Sequence, residues 1–101
     1  MKKHKRRLLW SSEAEGDLLS VWHYGVQEWS PSTADKHEHL IWRACNRLRE
    51  HPELGRTRDE LLLGMRSILI NPHVVFYRIS DSAIEIIRVT HQHEDIETTF
   101  A

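Results

Sequence analysis

The sequence predicts an α+β fold of the order β-α-α-β-β-β, in which a helical hairpin packs on a small, mostly antiparallel sheet. Two segments in the first half repeat apolar residues at spacings of three and four, the periodicity of amphipathic helices. The last third changes to short runs rich in Ile, Val, Phe and Tyr, which turn-forming clusters separate. With 101 residues, of which 40% are apolar and 29% charged, the chain has the length and composition of one globular domain.

The N-terminal end predicts a basic flexible tail over residues 1–7, followed by a single domain over residues 8–101. A short strand is expected around Arg7–Trp10. The apolar run that follows the tail ends at Trp10 and is too short for the apolar region of a signal peptide. No run approaches the roughly 18 apolar residues of a membrane span, so we expect a cytoplasmic protein without membrane contact.

The first helix is predicted from a start signal and an apolar stripe. Ser12 followed by Glu15 has the form of a capping box, which satisfies free N–H groups of the first helical turn. The apolar residues fall within an arc of about 100°, the width of one buried stripe; they are Ala14, Leu18, Val21, Trp22, Gly25 and Trp29. We expect the opposite side to face solvent, and it carries Glu13, Asp17, Ser20 and Gln27.

A second helix is predicted to begin near Ser32 or Thr33, because Pro31 interrupts the first helix. The short break predicts a hairpin, which ends at His51-Pro52. Trp42 lies at the edge of the buried stripe and is therefore a candidate for contact with a partner protein. The stripe consists of Ala34, Ile41, Ala44, Cys45 and Leu48, and its one cysteine is expected to be a core residue without a disulfide.

Three sequential strands are predicted in the last third, at Met65–Ile70, His73–Ile79 and residues 83–90. Asn71-Pro72 and Ser80-Asp81-Ser82 form the turns between them, so the strands build an antiparallel meander. Residues 53–64 are expected to be a polar connection between the hairpin and the meander.

Both faces of this meander are predicted to be apolar. In the strand at residues 73–79, Val75 and Tyr77 lie on one face of the sheet while Val74 and Phe76 lie on the other. In the last strand, strict alternation places Ile84 and Ile86 on the face opposite to Ile87 and Val89. Two helices cover only one face of a sheet. The second face is covered either by the chain itself, through residues 53–64 or the C-terminal segment, or by a partner chain.

A metal site is the first chemical hypothesis that the sequence raises. His91, His93 and Asp95 alternate along an extended segment and would converge on one side, as zinc ligands do. The chain offers no obvious second shell for them, and His37 and His39 are two apart on a helix and do not face each other. We therefore expect no metal and no cofactor.

An RNA-cleaving site is the second chemical hypothesis. A metal-independent nuclease needs an acid, a base and cations around the phosphate, and the predicted sheet carries Arg66, Arg78, Arg88 and His91. The alternative is that these arginines form salt bridges with Glu85 or Asp95. Because the net charge is −1, no direct nucleic-acid binding by the chain alone is expected.

Several segments together resemble the ParE branch of the RelE/ParE toxin superfamily. The clearest similarity is the run HVVFYR at residues 73–78 followed by IIRVTH at residues 86–91 and Asp95. The other similar segments, in chain order, are residues 10–18, 22–24, 28–29, 51–56 and 64–67. The resemblance covers residues 8 to 100 in order. The sequence departs from ParE chains at Ser30-Pro31, at Glu94 and in the basic tail.

The resemblance implies a bacterial toxin that binds DNA gyrase, arrests growth and is neutralised by a ParD-like ribbon-helix-helix antitoxin. It also favours a partner as the cover of the second sheet face. The alternatives are a RelE-like ribosome-dependent mRNA endonuclease, which would use Arg66, Arg78, Arg88 and His91, and a family member that binds an antitoxin but harms nothing. RelE-type enzymes surround the phosphate with lysines and often a terminal tyrosine, whereas here no lysine follows Lys36 and no tyrosine follows Tyr77. The sequence therefore favours a protein-binding toxin over an enzyme, with partner-contact candidates at Trp42, Arg66, Val74, Phe76, Tyr77, Arg88 and His91.

Overall fold

The computed structural model describes residues 5–100, and it has the predicted α+β architecture. Three short elements were not predicted: a 3-10 helical turn at Pro52–Leu54, β2 inside the expected polar connection, and α3 near the C-terminus. Of the predicted basic tail, residues 1–4 lie outside the described residues. The elements in chain order are β1 (Arg7–Trp10), α1 (Ser12–Glu28), α2 (Pro31–Arg47), β2 (Arg56–Thr57), β3 (Met65–Ile70), β4 (His73–Ile79), β5 (Ala83–His91) and α3 (Ile96–Thr99).

The five strands form one mixed sheet in the order β1-β5-β4-β3-β2. The meander β3-β4-β5 is antiparallel as predicted, and β1 joins it as a parallel neighbour of β5. The chain therefore begins at one edge of the sheet, crosses one face as the helical hairpin, and returns to the opposite edge at β2.

The hairpin begins and turns at serine caps. Ser11, one residue before the predicted cap, accepts a hydrogen bond from the amide of Ala14 at 2.9 Å and starts α1. Ser30 caps α2, with Pro31 at the first helical position, where its missing N–H costs nothing. The two helices approach closely at Gly25, where a Cβ would lie 3.0 Å from the Cβ of Ala34.

The core lies between the hairpin and the facing side of the sheet. It combines small and large helical residues with large strand residues, packed without exposure to solvent. Burial raises the pKa of the Cys45 thiol to about 12, so this thiol is an inert core group, as predicted. The fully buried members of the core are Ala14, Ile41, Cys45, Leu48, Val75, Tyr77, Ile84 and Ile86.

A β-bulge at Ile87 corrects the predicted faces of β5. Tyr77 of β4 pairs with Ile86, but the next residue, Phe76, pairs with Arg88, so Ile87 is an extra residue. Because a one-residue shift exchanges the two faces, Val89 joins Ile86 on the helix-covered side. Strict alternation had placed Val89 on the other side, which was wrong.

The face of the sheet away from the helices, called the far face below, is partly covered by the chain itself. Phe76 is fully buried, with the ring of Phe100 at 4.9 Å between centroids and the guanidinium of Arg58 at 5.4 Å from its ring. Nearby, Leu54 and Leu69 remain 48% and 59% exposed. At Phe76, therefore, the chain's own residues provide the cover that the sequence left open between the chain and a partner.

The tryptophans differ from the predicted pattern at one position. Trp22 is partly buried and donates to Asp35 Oδ1 at 2.8 Å. Trp29 was expected in the core but is 53% exposed, because it follows the last residue of α1 and stacks instead on the ring of His37. Trp42 is 46% exposed, as its position at the edge of the stripe predicted, and its ring lies against that of Trp10.

Within residues 5–100, no helix combines the length and the apolar character that crossing a bilayer demands.

Candidate functional site

Arg66 points to the backbone of the connection before β2. Its Nη1 donates to the Gly55 carbonyl oxygen at 2.7 Å and lies 3.5 Å from that of Glu53. The side chain is half-buried, so its guanidinium is used mainly to hold this connection against β3.

Arg88 forms a partly buried ion pair with Asp17 of α1. Its Nε donates to Asp17 Oδ2 at 2.8 Å and its Nη2 donates to Oδ1 at 3.0 Å, a bidentate arrangement that raises the pKa of Arg88. The same carboxylate accepts the amide of Val89 at 2.8 Å. Asp17 was expected to face solvent, but α1 runs along the edge of β5 beyond the end of β1, and this brings Asp17 to the strand. The amphipathic pattern of the helix gave no sign of this role.

His91 is exposed at the end of β5, in a row of aromatic rings. His73 lies between His37 of α2 and His91, with 6.1 Å between ring centroids on either side. His93 lies 5.3 Å from His91, and its amide donates to His91 Nδ1 at 3.1 Å. Because Nδ1 accepts this hydrogen bond, the neutral ring carries its proton on Nε2. The sequence had identified His91 but not the row.

The buried member of this row, His73, makes stability depend on pH. Burial, together with the charges of His37 and His91, lowers its pKa to about 4, and the side chain is only 7% exposed. Because the folded state binds the proton more weakly than the unfolded state, stability falls as pH falls from about 6.5 towards about 4. The unfolding free energy of the parent falls between pH 7 and pH 5, and in His73→Gln we expect this decrease to be smaller by about 2 kcal/mol. The measurement is urea titration at both pH values. Equal pH profiles of the unfolding free energy for the parent and for His73→Gln would contradict this account.

The four residues of the nuclease hypothesis do not converge on one point. Paired residues of a sheet share a face, and the register puts Arg66 opposite Tyr77 and His91 opposite His73, on the helix-covered side. The strand residues that pair with Arg78 and Arg88 across the sheet project to the far face, so these two arginines lie on that face. Arg78 lies on β4 five residues beyond His73, the residue that pairs with His91, so Arg78 and His91 are separated by about 17 Å along the strand.

Two of the predicted partner contacts, Phe76 and Tyr77, are internal residues. Both are fully buried, Phe76 beneath Phe100 and Tyr77 in the core. The Tyr77 hydroxyl donates to the Pro52 carbonyl at 2.6 Å and accepts the amide of Gly55 at 2.8 Å. Burial raises the pKa of Tyr77, which keeps this hydroxyl protonated. In the free chain neither side chain lies on the surface, because the helices and the C-terminal segment pack on them.

The accessible apolar surface of the far face is a shallow groove beside Val74, another predicted contact. It runs along β3 near β2, with Arg56 exposed at its rim. Sequence reasoning missed this groove, because it treated residues 53–64 as a polar connection and gave Leu54 no role. Its walls are formed by Leu54, Arg56, Arg58, Ser67, Ile68, Leu69, Val74 and Gln92.

The described residues hold no group of three or more His, Cys, Asp or Glu side chains arranged to bind a metal ion. His91 and His93 are adjacent, but Asp95 is turned to α3, where its carboxylate accepts the amides of Glu97 and Thr98 as a helix cap.

Comparison with known proteins gives one family. The family model described as the ParE toxin of a type II toxin-antitoxin system, parDE, matches residues 8–96. Toxin ParE1 of Caulobacter vibrioides is 35% identical over 82 residues, which cover 81% of this chain and 84% of that protein. Toxin RelE2 of the same organism is 27% identical over 85 residues, covering 84% of this chain and 93% of that protein.

Two solved structures share the fold. A chain of the chromosomal ParDE toxin-antitoxin system from P. aeruginosa superimposes with a TM-score of 0.76 at 24% identity, covering 88% of this chain and 98% of that chain. A chain of the toxin-antitoxin complex RelBE2 from Mycobacterium tuberculosis superimposes with a TM-score of 0.64 at 21% identity, covering 87% and 99%.

Proposed function

The chain belongs to the ParE toxin family of type II toxin-antitoxin systems, and we propose that it arrests growth by binding DNA gyrase, without cleaving RNA. We further propose that a ParD-like ribbon-helix-helix antitoxin neutralises it by covering its exposed surface. The toxin thus acts through protein contacts alone, in both the harmful and the neutralised state.

The observation that carries this proposal is the dispersal of the strand arginines and His91. Arg66 Nη1 is bonded to the Gly55 carbonyl, and the charge of Arg88 is compensated by Asp17 through two hydrogen bonds, so both guanidinium groups already have structural partners. The Nδ1 lone pair of His91, which a general base would use, already accepts the amide of His93. Chemistry on one phosphate needs these groups within hydrogen-bond reach of it, and they lie on different faces and at different ends of the sheet.

The neutralising partner is supported by the exposed apolar side chains and by the similar solved structures. Both structures are described as toxin-antitoxin assemblies, ParDE and RelBE2. On this chain, Leu54 and Leu69 remain exposed on the far face, and Trp42 is exposed on α2. A flexible antitoxin segment that orders on binding would bury such residues.

The second candidate function is ribosome-dependent cleavage of mRNA, which the similarity to Toxin RelE2 favours. The two functions are separated by adding the purified chain to ribosomes that hold a defined mRNA and mapping the RNA ends by primer extension. We expect no cleavage above background from the parent chain or from His91→Ala. A general acid or base contributes about 100-fold or more to a rate. Cleavage by the parent that falls by this factor in His91→Ala, but not in His23→Ala, would establish the nuclease instead.

A further inference from the structure

A cavity of about 540 Å³ lies between α1 and the end of the sheet where β4 begins and β5 ends. The apolar part of its wall is formed by Val89, which is buried, and Val21, which is half-buried. An apolar wall with a few polar groups around it is the usual composition of a ligand-binding cavity. The polar part of the wall consists of Asp17, Ser20, Tyr24, His73, His91 and Glu94.

His73 is a buried polar side chain on this wall. It is 7% exposed, and within residues 5–100 no hydrogen bond reaches either nitrogen of its ring, although buried polar groups are normally paired. Burial, together with the charges of His37 and His91, lowers its pKa to about 4, so the ring is neutral at pH 7 and one of its nitrogens is an acceptor. The cavity therefore offers an unused acceptor to a ligand that carries N–H groups.

The charge around the cavity is negative. The pKa of Arg88 is raised first by its hydrogen bonds to Asp17 and then by the charges of Asp17, Glu94 and Glu13, which places all three carboxylates near one guanidinium. Asp17 forms the ion pair with Arg88, and within the described part of the chain no cation pairs with Glu13 or Glu94. One cation thus stands among three carboxylates. This surplus attracts a cationic ligand and repels phosphate groups.

Glu94 is the carboxylate of the cavity that can accept further hydrogen bonds. Its Oε1 lies 3.4 Å from the amide of His91 and its Oε2 accepts the Thr99 hydroxyl at 3.1 Å, whereas a carboxylate has about four acceptor positions. The side chain is exposed, so the remaining positions are open to a ligand. Asp17, by contrast, already accepts two hydrogen bonds from Arg88 and one from the main chain.

Tyr24 adds an aromatic ring to the wall. The side chain is 51% exposed, and its ring meets that of Trp29 at 5.9 Å between centroids with an interplanar angle of 86°. Trp29 stacks on His37, and His37 is the neighbour of His73 in the row of rings. Ring contacts therefore support Tyr24 beside the cavity. Aromatic faces attract cations, and the planar guanidinium stacks on them more readily than an ammonium group.

We propose that this cavity binds the side chain of an arginine that a partner protein presents. The guanidinium donates to Glu94 and His73 and stacks on Tyr24, and its methylene stem packs on Val21. Since the polar part of the wall is largely exposed, the side chain can enter while its own main chain remains outside. The inference rests on the proposed function only in taking a protein as the source of the arginine.

The test is an NMR titration of the isotope-labelled full-length chain at pH 7 with capped Gly-X-Gly peptides. In the three probes X is arginine, lysine or citrulline, which has the shape of arginine without its charge. The arginine peptide at millimolar concentration should shift the amide signals of Tyr24, His73 and Val89. The citrulline peptide should bind at least about tenfold more weakly, and the lysine peptide should lie between the two.

Matched variants assign the binding to the named groups. Glu94→Gln keeps an oxygen acceptor but loses the charge, and it should weaken binding of the arginine peptide by about fivefold. Tyr24→Leu removes the aromatic face and should weaken it by about threefold. Glu97→Gln removes an exposed carboxylate that does not line the cavity, so its affinity should equal that of the parent. The replaced side chains are exposed, so the variants are expected to fold.

Three results would overturn the proposal: no shifts with any peptide, equal affinity for the arginine and citrulline peptides, or shifts centred on Leu69 of the far face. Agmatine, a free alkylguanidine, separates the two sources of this cation. Binding of the arginine peptide at least as tight as that of agmatine supports a protein side chain, whereas binding of agmatine alone would assign the cavity to a free guanidine instead. The titration contains no gyrase, so its failure and a failure to inhibit gyrase are distinguishable.

Discussion

Replacing Gly55 by alanine is expected to lower the free energy of unfolding by about 3 kcal/mol or more. A Cβ at this position would lie 2.6 Å from the Tyr77 hydroxyl oxygen and 2.7 Å from the Ser67 carbonyl oxygen. Neither neighbour is the mobile end of a surface side chain. Tyr77 is fully buried, and the Ser67 carbonyl belongs to β3.

The loss combines overpacking with broken hydrogen bonds. To relieve the contact, the Gly55 segment must move away from Tyr77, which separates its amide from the hydroxyl and its carbonyl from Arg66. Each buried polar group left unpaired costs about 1–3 kcal/mol. Thermal unfolding should show a midpoint lowered by at least about 12 °C, since a domain of this size loses roughly 4–8 °C per kcal/mol.

Gly16 is the matched control, because a Cβ there meets no atom within 4 Å. It lies inside α1, where alanine is the better helix former, so Gly16→Ala should raise the free energy of unfolding by about 0.5–1 kcal/mol. Equal midpoints for the two variants would show that residues 52–55 do not pack on Tyr77 as described.

Asp17→Ala is expected to have the second largest effect, a loss of about 2–3 kcal/mol in the free energy of unfolding. The Asp17 side chain is 16% exposed and that of its partner Arg88 is 27% exposed, so the pair is screened less than a surface ion pair. The substitution also leaves the amide of Val89 without its acceptor at the edge of β5. The measurement is chemical unfolding at neutral pH.

The comparison variants are Glu15→Ala and Asp17→Asn. Glu15 is exposed on the same helix, and its replacement should change stability by less than about 0.5 kcal/mol. Asp17→Asn keeps an oxygen acceptor for the Val89 amide but loses the charge. Its unfolding free energy should therefore lie between those of Glu15→Ala and Asp17→Ala. If Asp17→Ala and Glu15→Ala were equally stable, the ion pair would have no structural role.

The parts of the fold that the sequence predicted are those with local signals. Pro31 after Ser30 marks the hairpin turn because proline at the first helical position and serine at the cap are determined by adjacent residues. The turns at Asn71-Pro72 and Ser80-Asp81-Ser82 give the meander for the same reason. The family resemblance then supplied the relative placement of these elements.

The parts that the sequence did not predict depend on contacts between distant residues. The bulge at Ile87 moves Val89 into the core. The alternation of apolar residues in the sequence is equally consistent with a regular strand that has no bulge. Phe100 covers Phe76 although 24 positions separate them, which no local pattern indicates.

The site shows the same division. His91, Arg66 and Arg88 were identified by residue type and strand position, but their hydrogen-bond partners Asp17, Gly55 and His93 were not. Those partners decide the chemistry, because they bind the groups that a nuclease would need. Residue type alone therefore left two functions open.

Supercoiling of relaxed plasmid by DNA gyrase tests the central claim most directly. With the purified chain at saturating excess, the account predicts that supercoiling is lost, that the Gly16→Ala variant inhibits equally, and that the purified cognate antitoxin restores the activity. Full supercoiling under these conditions, by a chain that arrests growth when expressed alone, would contradict it.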